Sequence, residues 1–178
     1  MRTAPFLMFW AVAAGCAMYP AGQHLQPVSF TERPSEAMYA PYMQKGGTVV
    51  TGQAFLMTRG GDAKKAAGRE VTLDPATPYA EQWFAQRGTV LGMFDWYPVY
   101  PTDSLGLFPK ARHSTVADAD GKFEFDSIPA GRYIIRSTVT WEAPDPIWGT
   151  LTTQGGVVAA HISVPAQGRI NVILNATP

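Results

Sequence analysis

The chain reads as an all-β protein, a sandwich of seven short strands in two sheets with one short inserted helix. Three observations predict this. Glycine (17) and proline (15) are frequent and only 16% of the 178 residues are charged, a balance suited to short strands joined by tight turns. From residue 48 onward, apolar and polar residues alternate at a period of two in one segment after another, as strands with one buried face do. Only one stretch keeps a helical period, and the length suits a single core.

Residues 1–15 carry one positive charge, Arg2, followed by an apolar run from Phe6 to Ala14 that is too short to span a bilayer. This is the pattern of a signal peptide. Ala13, Ala14 and Gly15 lead directly into Cys16, the only cysteine, and the arrangement resembles the lipobox of bacterial lipoproteins. The resemblance implies cleavage before Cys16, lipidation of its sulfur and anchoring in the bacterial cell envelope. Ala17 stands where that family places Asp for inner-membrane retention, which favours the outer membrane. Each buried acyl methylene contributes about 0.8 kcal/mol and a single chain anchors only marginally, so a multiply acylated cysteine holds firmly. Residues 16–46, with four prolines and little periodicity, are expected to form the lipidated N-terminus and a tether. Tyr39, Tyr42 and Met43 are the tether residues suited to packing on the domain or a partner.

The domain proper is expected over 47–178. Thr48–Met57 places Val50, Ala54 and Leu56 on one face, and Val71 and Leu73 alternate in Arg69–Leu73, with a polar loop between the two strands. Thr77 followed by Pro78 is an N-cap with proline at the first helical position. Tyr79/Trp83 and Ala80/Phe84 then repeat at helical spacing and Gly88 offers a stop. An insertion at about 75–113 contains this helix and an aromatic, proline-rich stretch, 89–113. Ser114–Ala117, Lys122–Asp126, Arg132–Trp141, Val157–Val164 and Arg169–Leu174 complete the seven strands. Tyr133, Ile135, Val139 and Trp141 share one face, as do Val158, Ala160, Ile162 and Val164, and Ile170, Val172 and Leu174.

The run Thr115-Val116-Ala117-Asp118-Ala119-Asp120-Gly121-Lys122-Phe123-Glu124-Phe125, followed by Ile128-Pro129-Ala130-Gly131-Arg132-Tyr133, resembles carboxypeptidase regulatory-like domains. Ala67–Leu73 matches an earlier strand of that pattern, so the resemblance spans about Thr48 to Asn175. It implies a transthyretin-like (Ig-like) sandwich serving as an accessory, binding or spacing module without catalytic residues. The insertion between Leu73 and Ser114 departs from the compact pattern.

Composition excludes several chemistries. The formal net charge is zero and removal of Arg2 leaves one more acid than base, so no basic field exists to hold nucleic acid. A single cysteine forbids an intramolecular disulfide or a Cys-rich metal site. Asp118, Asp120 and Gly121 resemble the start of a calcium loop but lack the downstream Glu, and read as caps of a tight turn. His24, His113 and His161 are scattered without metal-ligand spacing. No Gly-x-Ser-x-Gly elbow is present. The sequence therefore predicts no enzyme, no cofactor and no metal.

What remains is a candidate recognition surface of aromatic residues: Trp96, Tyr97 and Tyr100 in the insertion, and Trp141 and Trp148 beside Glu142 and Asp145. Such rings stack on sugars or anchor protein partners, and equally pack cores and edges; Trp141 falls on an inward face. Two functions follow. One is a membrane-anchored, non-catalytic interaction or structural module that docks on an envelope protein through an edge strand or the aromatic loops. The other is a carbohydrate-binding module that holds a glycan on those rings.

Overall fold

A computed structural model of the chain describes residues 30–87, 103–145, 147 and 149–175. The expected signal peptide, Cys16, most of the insertion's aromatic stretch and Trp148 lie outside them. The all-β reading holds: among the described residues, eight strands form two four-stranded sheets.

In the first sheet, β1 (Gly47–Met57) is central. It runs parallel to β8 (Gln167–Leu174) and antiparallel to β5 (Lys122–Ile128) and to the three-residue β2 (Ala63–Lys65). The second sheet is antiparallel throughout, in the order β4 (His113–Val116), β3 (Glu70–Pro75), β6 (Gly131–Pro144), β7 (Leu151–Val164). β2 is the strand beyond the expected seven. It forms because β1 outruns β5, whose pairing stops at Gln53, and the backbone of Phe55–Met57 takes residues 63–65 as partners instead.

Between the sheets lies a core of Val50, Ala54, Val71, Leu73, Phe123, Phe125, Ile128, Tyr133, Ile135, Val139, Val158, Val164 and Leu174, with Leu56, Ala160, Ile162, Ile170 and Val172 packed at its margin. Apart from Ile128, which the sequence places in a turn, these are the positions that the period of two assigns inward. The turn before β5 is structural: Asp118 Oδ1 accepts from the amides of Asp120 (2.8 Å) and Lys122 (2.9 Å). Gly121 sits at φ 74°, where a side chain would also lie 2.6 Å from the Ala54 carbonyl oxygen.

A second core covers the outer face of the second sheet and makes β3 buried on both sides. Helix α2 (Pro78–Arg87) starts where expected, with Thr77 Oγ1 accepting from the Ala80 amide at 3.2 Å. A further helix, α3 (Leu107–Ala111), ends the insertion; Asp103 caps it by accepting from the amides of Leu107 (3.0 Å) and Phe108 (2.8 Å). Leu107, Phe108 and Ala111 pack with Tyr79, Ala80 and Ile134.

Within the segment expected as a tether, Phe30, Met38, Tyr39 and Tyr42 pack into this layer. Phe30 meets Tyr79 at a ring distance of 5.3 Å, and one helical turn, α1 (Glu36–Tyr39), drops Tyr39 into full burial. Tyr39 bonds through its hydroxyl to Thr77 Oγ1 at 2.8 Å, and Tyr42 packs edge-on to Tyr133. Burial of aromatic surface outweighs the freedom that a proline-rich stalk would keep.

Candidate functional site

Of the expected recognition surface, Trp96, Tyr97, Tyr100 and Trp148 lie outside the described residues, as do Cys16 and His24. Trp141 is described. It is half-buried on β6 opposite Gln154, beyond the sandwich core toward which the period of two directs it. His113 opens β4 and is half-buried; His161 is exposed on β7, its Nε2 3.0 Å from Glu81 Oε2. Among the described residues no three His, Cys, Asp or Glu side chains converge on a metal position, and no helix is long and apolar enough to cross a membrane.

An open depression of about 640 Å³ lies along the β8-β1-β5 face and reaches β4. Thr51, Gln53, Glu124, Lys122, Asn171 and Ile173 line it. They converge because β1 pairs on both sides: Thr51 faces Glu124 and Asn171, and Gln53 faces Lys122 and Ile173. Gly52 keeps the strands close, since a side chain there would lie 2.3 Å from both the Phe123 ring and the Val172 carbonyl oxygen.

Some of the polar groups hold one another. Thr51 Oγ1 donates to the Ile170 carbonyl at 3.1 Å, Gln53 Nε2 to the Asp120 carbonyl at 2.8 Å, and Arg169 Nη1 pairs with Glu124 at 2.9 Å. That ion pair is exposed and costs little to open. The floor thus offers an amide carbonyl from Gln53, the Asn171 amide, the Glu124 carboxylate and the Lys122 ammonium at the spacing of neighbouring strands. Planar amides and carboxylates hold vicinal hydroxyl groups through paired donors and acceptors. None of these residues belongs to the aromatic surface expected from sequence.

The opposite face carries a buried charge cluster. Asp74 on β3 is fully buried and accepts from Arg112 Nε at 2.6 Å. Arg136 of β6 lies over the rings of Trp83 (4.9 Å) and Phe84 (4.8 Å), and Arg112 over Phe108 (5.1 Å). Burial pushes the Asp74 carboxyl up, opposed by the Arg112 charge, and pushes the His113 imidazole below its ordinary value of 6.5, opposed by Asp74. Asp74 Oδ2, Arg112 Nη2, His113 Nε2 and Tyr79 OH are buried without a hydrogen-bond partner. These atoms are closed off from solvent, so the cluster serves to fasten α3 and β4 to β3.

The His113 shift has a defined sign. The unfolded chain takes up the proton first, so stability falls as the pH drops through 6.5 toward the lower folded value. His113→Gln is expected to flatten the urea midpoint against pH across that window relative to wild type; identical slopes would show that His113 does not contribute.

Two four-stranded sheets packed face to face, with a polar depression on one outer face and a helical layer on the other, define a β-sandwich domain. A crystal structure of a candidate carbohydrate-binding protein from Pseudomonas aeruginosa has this architecture: it superposes with a TM-score of 0.66 at 30% sequence identity, covering 80% of this chain and 97% of that one. The chain belongs to the same family as that Pseudomonas aeruginosa protein. A crystal structure of the major pilin subunit of Bacillus cereus is more remote, with a TM-score of 0.38, 15% identity, and coverage of 74% of this chain and 30% of that one. No protein-family model and no curated protein matches the chain.

Proposed function

We propose that the chain is a non-catalytic binding module of the bacterial cell envelope and that its ligand is a carbohydrate, held on the open β8-β1-β5 face. The observation that carries this reading is kinship with a candidate carbohydrate-binding protein over nearly that protein's whole length. The depression lined by Gln53, Asn171, Thr51 and Glu124 supports it, since its groups suit hydroxyl-rich ligands. Trp141, with Trp96, Tyr97, Tyr100 and Trp148, is proposed as a separate stacking surface, since Trp141 stands on β6 of the other sheet. The resemblance to carboxypeptidase regulatory-like domains agrees with an accessory role, and the lipobox resemblance supports a lipid anchor at Cys16.

Titration of the isotope-labelled domain with maltohexaose, cellohexaose, peptidoglycan glycan fragments and lipopolysaccharide core oligosaccharide tests the reading. At least one of them is expected to shift the amide signals of β1, β5 and β8. Gln53→Ala and Asn171→Ala should each weaken that binding by roughly two- to tenfold, the worth of one hydrogen bond. Trp141→Ala in parallel separates the aromatic surface from the polar face. Shifts confined to other strands, or none with any of the sugars, would reject the face. Membrane partitioning of wild type against Cys16→Ala decides the anchor.

The same anchor supports the second reading, an interaction module that docks on an envelope protein. Crosslinking in intact cells that captures one defined envelope protein, with no sugar shifting the β1, β5 and β8 amides, would favour it.

A further inference from the structure

We propose that the edge of β7 left unpaired among the described strands pairs with the same edge of a second copy of this chain, antiparallel and about a two-fold axis, so that the β4-β3-β6-β7 sheets of two copies join into one. Sheet edges invite pairing, and proteins blunt the edges they do not use with shortness, charge, proline or a bulge.

The other edges of the described sandwich carry such devices. β4 is four residues long. β5 alternates Lys122, Glu124 and Asp126 along its length, β2 carries Lys64 and Lys65, and β8 carries Arg169. β7 is 14 residues long and pairs among the described strands only with β6. No residue between Asp145 and His161 is charged, and no proline interrupts Leu151–Val164.

Nor does a bulge turn the edge away. The register with β6 is unbroken from Gly131 opposite Val164 to Pro144 opposite Leu151, through Gly155 at φ 116°. The outer half of this hairpin projects past β3, whose pairing with β6 ends at Ser137. It also exposes Leu151 (68%) and Ile147 (78%) near its tip.

Charge selects the occupant. An antiparallel pairing of the strand with its own copy sets residues 151–160 against one another and brings no like charges face to face, which is the condition for a self-complementary two-fold contact. A basic or acidic strand would find no counter-charge there.

The test is density-matched sedimentation equilibrium of the full chain, with two double variants that set like charges opposite one another about a two-fold axis at Gly155, where residues 153 and 157 share a face: Thr153→Lys with Val157→Lys, and Thr153→Glu with Val157→Glu. Wild type is expected to dimerise, and each variant alone should weaken the dimer by roughly tenfold or more. Mixing the two variants should restore it, because opposite charges then meet. Circular dichroism melts establish that each variant is folded.

A wild type that stays monomeric to millimolar concentration would overturn the proposal. So would a dimer that both folded variants retain, or one whose loss mixing does not reverse. Should either variant fail to fold, hydrogen exchange on wild type decides the matter: the amides of Leu151–Ala160 must gain protection as concentration rises through the dimer range, and unchanged exchange rejects the edge.

Discussion

Arg112→Met is expected to lower the unfolding free energy by about 3–5 kcal/mol, a large part of the stability of a domain this size. The reason is the residue left behind. Asp74 is fully buried in the low dielectric of the second core, and Arg112 Nε lies 2.6 Å from its carboxylate. Without Arg112 the carboxylate is left to the weaker influence of the Arg136 charge. Its carboxyl, already pushed up by burial, then rises further. Protonation relieves the cost, so the deficit of the variant against wild type should shrink as the pH is lowered. The double variant Asp74→Leu with Arg112→Met should recover most of the loss, because a well-packed apolar pair replaces a buried ionic one at little cost. Urea unfolding of the four proteins at two pH values gives the coupling directly. A single variant within about 1 kcal/mol of wild type, or a double variant as unstable as the sum of the singles, would show that the pair does not hold β3 to the α3–β4 junction.

That cluster is also where the sequence is least legible. The sandwich core follows from the period of two in Val71/Leu73, Phe123/Phe125 and Tyr133/Ile135/Val139, each a local pattern within one strand. The outer core draws Phe30, Tyr39, Tyr79, Phe108 and Ile134 from segments far apart in the chain, and no window of sequence contains its pattern. One signal is present: Tyr133-Ile134-Ile135 is a continuous apolar run, the mark of a strand buried on both faces. Asp74, charged and at the end of an apolar strand, is a second.

The polar face is half legible for a related reason. Alternation assigns Thr51, Gln53 and Asn171 outward, but only the parallel pairing of β1 with β8 brings residues about 120 positions apart onto one floor. Parallel pairing leaves no turn in the sequence to announce it. Aromatic rings favour recognition in general, yet the one of the five that is described, Trp141, sits half-buried on the projecting hairpin.

The packed N-terminal segment carries the other large effect. If residues 30–43 were a stalk, substitution of Tyr39 would leave the domain unchanged. Packed as they are, Tyr39→Ala is expected to cost about 3–5 kcal/mol, the range for deleting a buried aromatic side chain. Burial around the ring pushes the Tyr39 hydroxyl up to about 12, so the phenol stays protonated at neutral pH and keeps its hydrogen bond to Thr77. Tyr39→Phe removes that bond alone and should cost about 1 kcal/mol. The contrast between the two variants divides the contribution between ring packing and the bond to the α2 cap. Because Thr77 also caps α2, Tyr39→Ala should loosen that helix, read as faster hydrogen exchange at Ala80 and Glu81, while exchange in β1 and β5 stays slow until global unfolding. Equal stability of Tyr39→Ala and wild type would return the segment to the role of a tether and leave the outer core to close around α2 and α3 without it.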